Sequence, residues 1–333
     1  MSRRHIADLT ARAVVVISKN ANVATGAEGL NNARRVVAGV AKALGCPPEE
    51  VLIASTGVIG RQYPMDRVDA GLDSLRTPFL GTSVEPVAVG IMTTDTRPKL
   101  ASGKGDGFSV VGVAKGVGMI EPNMATMITM FFTDATINPT ELDACFRRVV
   151  DRTFNCVSVD TDTSTSDTAV ILANGAGRPV DLVAFERVLD EVALHLTKEI
   201  ARDGEGATTL IEVLVDEARD GAQAKRVAKA VVNSPLVKTA VHGADPNWGR
   251  VAMAIGKCSD ETDIDQDRVT IRFGEQEVYP ARVSPEGLGE LAAYMRGDEV
   301  LIHVSLGIAS GAARVWGCDL TYGYVRINAD YTT

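Results

Sequence analysis

The segment "AKGVGMIEPNMATMITMFFTDA", Ala114–Ala135, runs from turn chemistry straight into a strongly apolar stretch. Gly116 and Gly118 permit backbone angles closed to other residues, and Pro122-Asn123 dictates a turn. "MITMFF" is short and apolar, which reads as a buried strand. That strand would hold a small hydroxyl residue, Thr126, rigidly at its mouth.

Outward from this point, strands and helices alternate. "ARAVVVIS" (Ala11–Ser18), "VLIAST" (Val51–Thr56) and "TAVILANG" (Thr168–Gly175) are short β-branched runs that read as strands, the first two of them buried. Leu30, Ala33, Val37, Val40, Ala41 and Leu44 are spaced as one helix face, stopped by Gly45 and Pro47-Pro48. Asn138-Pro139-Thr140-Glu141 is a helix start, with Leu142, Cys145, Phe146, Val149 and Val150 inward. Asp181–Ile200 is a long amphipathic helix. "LIEVLVDEA" alternates as a half-buried strand, Ala222–Val232 reads as a helix, and Arg268–Pro280 as a hairpin turning at Gly274-Glu275. "AVGIMTTDT" (Ala88–Thr96) and the terminal "ARVWGCDLTYGYVRINADYTT" read as strands. Frequent glycine (31 residues) and scarce aromatics (5%) suit the α/β class, with its many tight turns, better than a helical bundle. The chain's 333 residues allow one large domain or two smaller ones, with a boundary expected near Ala218–Gln223.

A net charge of −9 argues against nucleic acid and anionic membrane surfaces as partners, since both need clustered Lys and Arg. Small charged metabolites remain compatible, because a local site can differ from the global sign. The five cysteines are scattered without a CxxC, as expected of reduced thiols in a cytoplasmic protein. The apolar run Ala13–Ile17 is too short for a signal peptide, and no run reaches the ~20 apolar residues of a transmembrane helix.

The candidate chemistries narrow quickly. His5, His195, His242 and His303 form no HxxxH or HxH; "HGADPNWGR" reads as a turn-rich loop with a Trp anchor rather than a His242/Asp245 metal site, so no metal is expected. "GKGDG" (Gly103–Gly107) and "KGVG" (Lys115–Gly118) match neither phosphate-binding glycine motif and read as turns. "DTDTSTSD" (Asp160–Asp167) lacks the Gly and terminal Glu of a calcium loop and reads as a hydrogen-bonded structural loop. There is no GxSxG elbow for a Ser-His-Asp hydrolase. A threonine hydroxyl needs a base beside it. If the chain is cut between Ala125 and Thr126, the new α-amine of Thr126, with an ordinary pKa near ~8, supplies that base. The alternative is that Thr126 is simply the edge of a strand.

The set of segments resolves the choice. "KGVGMIEPNMATM" closely resembles the processing-site motif of the ornithine acetyltransferase (glutamate N-acetyltransferase) family. "STGVIG", "MTTDTRPK", "DTDTSTSDTAVILANG", "DGEGATTLIEV", "NSPLVKTAVHGADPNWGR" and "YVRINADYTT" follow in family order, so the resemblance spans nearly the whole chain. It implies a layered αββα-type sandwich of the ornithine acetyltransferase/DmpA-like kind (1–222) with a smaller α/β domain (223–333). It implies autocleavage at Ala125–Thr126 into two chains that stay associated, in a heterotetramer of two alpha and two beta chains. By position, Thr126 is the acetyl-accepting nucleophile, Thr56 and Gly57 the oxyanion-stabilising pair, and Thr93, Lys115, Glu205, Asn328 and Thr333 the substrate contacts. The implied reaction is ping-pong: N-α-acetyl-L-ornithine acylates Thr126, and L-glutamate accepts the acetyl group, with no cofactor. "KNANVATG" and "VDTDTSTSD" are similar to the subgroup associated with clavulanic-acid biosynthesis. Family members carry a further leading segment before "ARAVVV", and Met1 falls inside the family pattern. The competing readings are a related N-terminal-nucleophile amidase and an inactive truncated relic.

Overall fold

The computed structural model describes residues 1–77, 81–121 and 127–330. The first half comprises α1 (Ser2–His5), β1 (Ala13–Ile17), α2 (Gly26–Leu44), β2 (Val51–Ser55), α3 (Met65–Ser74), α4 (Glu85–Gly90), β3 (Lys99–Gly105), β4 (Phe108–Lys115), β5 (Ile128–Thr133), α5 (Pro139–Arg152) and β6 (Thr168–Ala173). There follow α6 (Leu182–Arg202), β7 (Leu210–Ala218), α7 (Gly221–Val232), α8 (Pro235–His242), α9 (Trp248–Gly256), β8 (Thr270–Phe273), β9 (Gln276–Tyr279), α10 (Pro285–Tyr294), β10 (Glu299–Ser305), β11 (Gly311–Cys318) and α11 (Tyr322–Asp330).

The strands assemble into three sheets: β1-β2, β3-β4-β5-β6 and β11-β7-β10-β8-β9. Period-two alternation explains how the first two stack. Val15 of β1 and Ile53 of β2 face α2, packing with Val37, Val40 and Ala41. Val14, Val16 and Ala54 face the other way, onto Val113, Ile128 and Met130 of the four-stranded sheet. The far face of that sheet presents Phe108, Val110 and Phe131 to Phe146 and Val149 of α5 and to Phe185, Val188, Val192 and Leu196 of α6. Phe131 meets Phe146 edge-on, ring centroids 5.5 Å apart. The layer order is therefore α–β–β–α, as the resemblance implied. Beyond it α6 also touches β7 and β11 of the five-stranded sheet, which α7 covers from the opposite side.

Local chemistry accounts for the helix ends. Asn138 accepts hydrogen bonds from the Thr140 and Glu141 amides at the start of α5, and Asp181 accepts from Ala184 at the start of α6.

Several expectations need correction. "AVGIMTTDT" is not a strand: α4 ends at Gly90 and a looser stretch follows. Val84, Ala88 and Ile91 share one inward face at helical spacing while Val87 and Val89 are exposed, and Pro86 sits in the first turn. The C-terminal stretch is strand only to Cys318; Tyr322–Asp330 is a helix with no buried residue. α2 begins a turn before Leu30, which lies outside its buried face. β1 is half-buried rather than buried, pairing with β2 alone. β7 is mostly buried rather than half-buried, because it is an inner strand covered on both faces. The boundary expected at 222/223 falls in the first turn of α7, and the five-stranded sheet spans it: β7 pairs with β10 and β11.

Candidate active site

The site is built where β2, β4 and the loop after α4 end together. Val51–Ser55 is an apolar strand, and "TGVIG" carries the chain out of it. The Thr56 amide bonds Ile17 O at 2.9 Å and the Val58 amide bonds Lys19 O at 3.2 Å, whereas the Gly57 amide between them has no acceptor among the described residues. Gly57 adopts φ +127°, and a Cβ there would stand 2.3 Å from the Lys19 carbonyl carbon, so only glycine lets the two loops close on one another. If the Gly57 amide has the oxyanion role that the resemblance implies, Gly57→Ala is expected to cut turnover by about 10²-fold or more by moving this donor. Steady-state kcat on protein checked for native far-UV circular dichroism tests this; an unchanged kcat would contradict the assignment.

Lys115, at the end of β4, buries its ammonium in this corner. Nζ donates to Thr93 Oγ1 at 2.7 Å and to Thr56 Oγ1 at 3.2 Å, and lies 3.8 Å from Asp95 Oδ2. Burial pushes the Lys115 pKa below its ordinary value; Asp95 opposes this, Lys99 and Lys19 add to it, and Glu205 opposes it. Asp95 is the hub. Its Oδ1 accepts from Lys99 Nζ and the Gly116 amide, each at 2.8 Å, and its Oδ2 from the Thr93 amide at 3.1 Å. Burial would raise its pKa, but the Lys99 and Lys115 charges with these hydrogen bonds outweigh that and hold the carboxyl below the usual range. Behind it, Lys99 Nζ reaches Asp203 Oδ2 at 2.5 Å, and Asp203 is tied to Thr96.

A second polar group meets the first along residues 115–118. The Glu205 amide bonds Val117 O at 2.9 Å. Its carboxylate lies over Gly118, where a Cβ would stand 2.6 Å from the carboxyl carbon. Asn328 of α11 donates to Glu205 Oε2 at 2.9 Å. Thr56, Gly57, Thr93 and Lys115 are thus gathered in one corner, and Glu205 and Asn328 are paired beside it. Ala125, Thr126 and Thr333 lie outside the described residues.

The "DTDTSTSD" loop grips the chain on both sides of residues 122–126. Asp160 accepts from the Met119 and Ile120 amides at 2.6 and 2.8 Å, the Glu121 amide bonds Asp162 O at 3.1 Å, and Asp167 Oδ1 accepts from the Met127 amide at 2.7 Å. Among the described residues Asp167 Oδ2 is buried without a hydrogen-bond partner, and burial pushes the Asp167 pKa up to about 7. The folded protein therefore keeps a proton that the unfolded chain releases near 3.8. The stability contribution of this group is greatest at low pH and is lost as pH rises through about 7. Asp167→Asn should gain stability over wild type progressively between about pH 4 and about pH 8, read as urea midpoints. A pH-independent difference would contradict this.

Sequence reasoning missed Asp95, Lys99, Asp203, Asp160 and Asp167. The first two lie inside "MTTDTRPK", where a Lys four residues after an Asp is the single local signal. His242 pairs with Asp319 (3.1 Å) rather than Asp245, and Trp248 stacks on Tyr279 with ring centroids 4.8 Å apart. Among the described residues no group of His, Cys, Asp and Glu is arranged to hold a metal, and no helix is long and apolar enough to cross a membrane.

Comparison with known proteins gives a family, two relatives and a solved structure. The model of the ArgJ family matches residues 1–333. The glutamate N-acetyltransferase Oat2 of Streptomyces clavuligerus is 61% identical, over 100% of this chain and 86% of its own length. The arginine biosynthesis bifunctional protein ArgJ 2 of Nostoc sp. is 56% identical with the same coverage. The crystal structure of the ArgJ protein of Bacillus halodurans shares 42% identity at a TM-score of 0.56, over 60% of this chain and 96% of that one.

Proposed function

The chain belongs to the ArgJ family, and from that premise we propose how its residues carry the reaction. It is an acyltransferase of amino-acid biosynthesis, transferring acetyl groups. The reading is that cleavage between Ala125 and Thr126 frees the Thr126 α-amine, giving two chains that remain associated in a tetramer of two alpha and two beta chains. That amine takes the proton from the Thr126 hydroxyl as its oxygen attacks the acetyl carbonyl of N-α-acetyl-L-ornithine. Negative charge grows on the carbonyl oxygen, which the Gly57 amide and Thr56 hydroxyl receive. The C–N bond breaks, the proton passes to the departing ornithine nitrogen, and an acetyl-threonine ester remains. The α-amine of L-glutamate attacks this ester, and N-acetylglutamate leaves with the hydroxyl restored.

The observation that carries the reading is the Lys115 ammonium buried between the Thr56 and Thr93 hydroxyls, with a Gly57 amide next to Thr56 that has no acceptor among the described residues. Lys115 also pairs in register with Ile128, and Thr126 stands two residues before Ile128 in the sequence. Two of the three ammonium hydrogens are engaged by the threonines, leaving the third for a substrate α-carboxylate. Glu205, steadied by Asn328, suits the ornithine side-chain ammonium. Thr333 is assigned to the same substrate subsite by its place in the motif.

Acetyl-labelled N-acetylornithine separates transfer from hydrolysis. The expected products are labelled N-acetylglutamate, with parallel double-reciprocal plots and little free acetate. Acetate as the main product in saturating glutamate would make the chain an amidase instead.

A further inference from the structure

We infer that Asp95 is a positioning residue for the reaction: it fixes the Lys115 ammonium so that the Thr56 hydroxyl must present its hydrogen outward, to the acetyl oxygen. The inference rests on the reading that Thr56 receives the developing oxyanion, and adds what orients it.

A free threonine hydroxyl can turn either its hydrogen or its lone pairs toward a substrate. Here Lys115 Nζ donates to Thr56 Oγ1 at 3.2 Å. An ammonium has no lone pair, so Thr56 can only accept on that side, and its own hydrogen is left for another partner. Thr93 is held likewise, at 2.7 Å. Donation from a cation also polarises the hydroxyl, making it a stronger donor at the moment charge develops. All of this requires Lys115 to stay protonated in a place that disfavours charge: the side chain is 3% exposed.

The charged groups facing Lys115 are Lys19 from the segment after β1, Asp95 before β3, Lys99 within β3, and Glu205 from the loop after α6. Two are cations. Asp95 is the anion that also touches the frame: it binds the Thr93 amide, the Gly116 amide next to Lys115, and Lys99. It thereby sets both the geometry and the charge of the donor to Thr56. Asp203 offsets the second cation, Lys99, so that Lys99 does not cancel the Asp95 field.

The test uses the full chain with Asp95→Asn, with Asp95→Asn/Lys99→Met, which removes one anion and one cation together, and with Asp95→Glu as the conservative variant. Acetyl transfer to glutamate is followed against pH. In parallel, the Lys115 titration is read from carbon-13-labelled lysine spectra, assigned with Lys115→Met. Asp95→Asn is expected to shift the alkaline limb of kcat downward by about one pH unit or more, with the Lys115 titration moving by the same amount; Asp95→Asn/Lys99→Met, which also removes a cation that lowers the Lys115 pKa, is expected to shift both less, and Glu is expected to restore both. A structural role alone would scale activity equally at every pH. An unmoved Lys115 titration in Asp95→Asn overturns the inference even if wild type transfers normally. Absence of transfer by wild type overturns the functional reading instead, and the lysine titration then still decides the role of Asp95.

Discussion

Thr126→Ala is expected to leave a single uncut chain and to lower acetyl transfer by more than about 10³-fold, the scale on which losing a nucleophile acts. In the proposed mechanism one substitution removes two functions, because the hydroxyl is needed first to attack the Ala125 carbonyl and later to carry the acetyl group. Thr126→Ser keeps hydroxyl and α-amine, and should be cut and active. Intact mass and a transfer assay on the same preparations check both. An alanine variant that is cleaved normally, or that keeps a tenth of wild-type activity, would remove Thr126 from the mechanism.

Lys99→Met is expected to cost about 3–5 kcal/mol of stability, the usual result of removing one partner of a buried ion pair. The Lys99 side chain is 0% exposed, and its partners Asp95 and Asp203 are 0% and 4% exposed. Without Lys99 both carboxylates keep their desolvation penalty and lose a charge-assisted hydrogen bond. Lys99→Met combined with Asp203→Asn should cost clearly less than the sum of the single changes, since the double change removes one cation and one anion together. Urea denaturation measures both. A loss below about 1 kcal/mol would mean that this pair behaves as an exposed one.

How much of this was legible in the sequence depended on distance along the chain. α5 was readable because its cap, its Pro and its apolar face lie within 14 residues. α6, α7 and the β8–β9 hairpin were readable for the same local reasons. α4 was misread because a six-residue helix offers less than two turns of periodicity, and its valines favour the strand reading. The Tyr322–Asp330 helix was misread because its exposed sequence carries no apolar stripe.

The site divides in the same way. Thr56, Gly57, Thr93, Lys115, Glu205 and Asn328 were named through motif order alone, since each in isolation resembles a turn or a surface charge. The contacts that organise them span large separations. Lys99 and Asp203 are 104 residues apart, and Lys115 and Thr56 are 59 apart. Composition and periodicity carry no information about such pairs. "DTDTSTSD" was readable as a hydrogen-bonded loop, yet its partners, the amides of Met119, Ile120 and Met127, lie 40 or more residues upstream. The physical gain from the structure is therefore a buried network of two lysines and two aspartates behind the residues that the motifs marked.

The most direct measurement is the intact mass of the purified protein, before and after mixing with N-acetylornithine in the absence of glutamate. The account predicts two chains, the second beginning at Thr126, and one added acetyl group on that second chain that disappears when glutamate is supplied. A single uncut chain, or an acetyl group carried anywhere but Thr126, would contradict it.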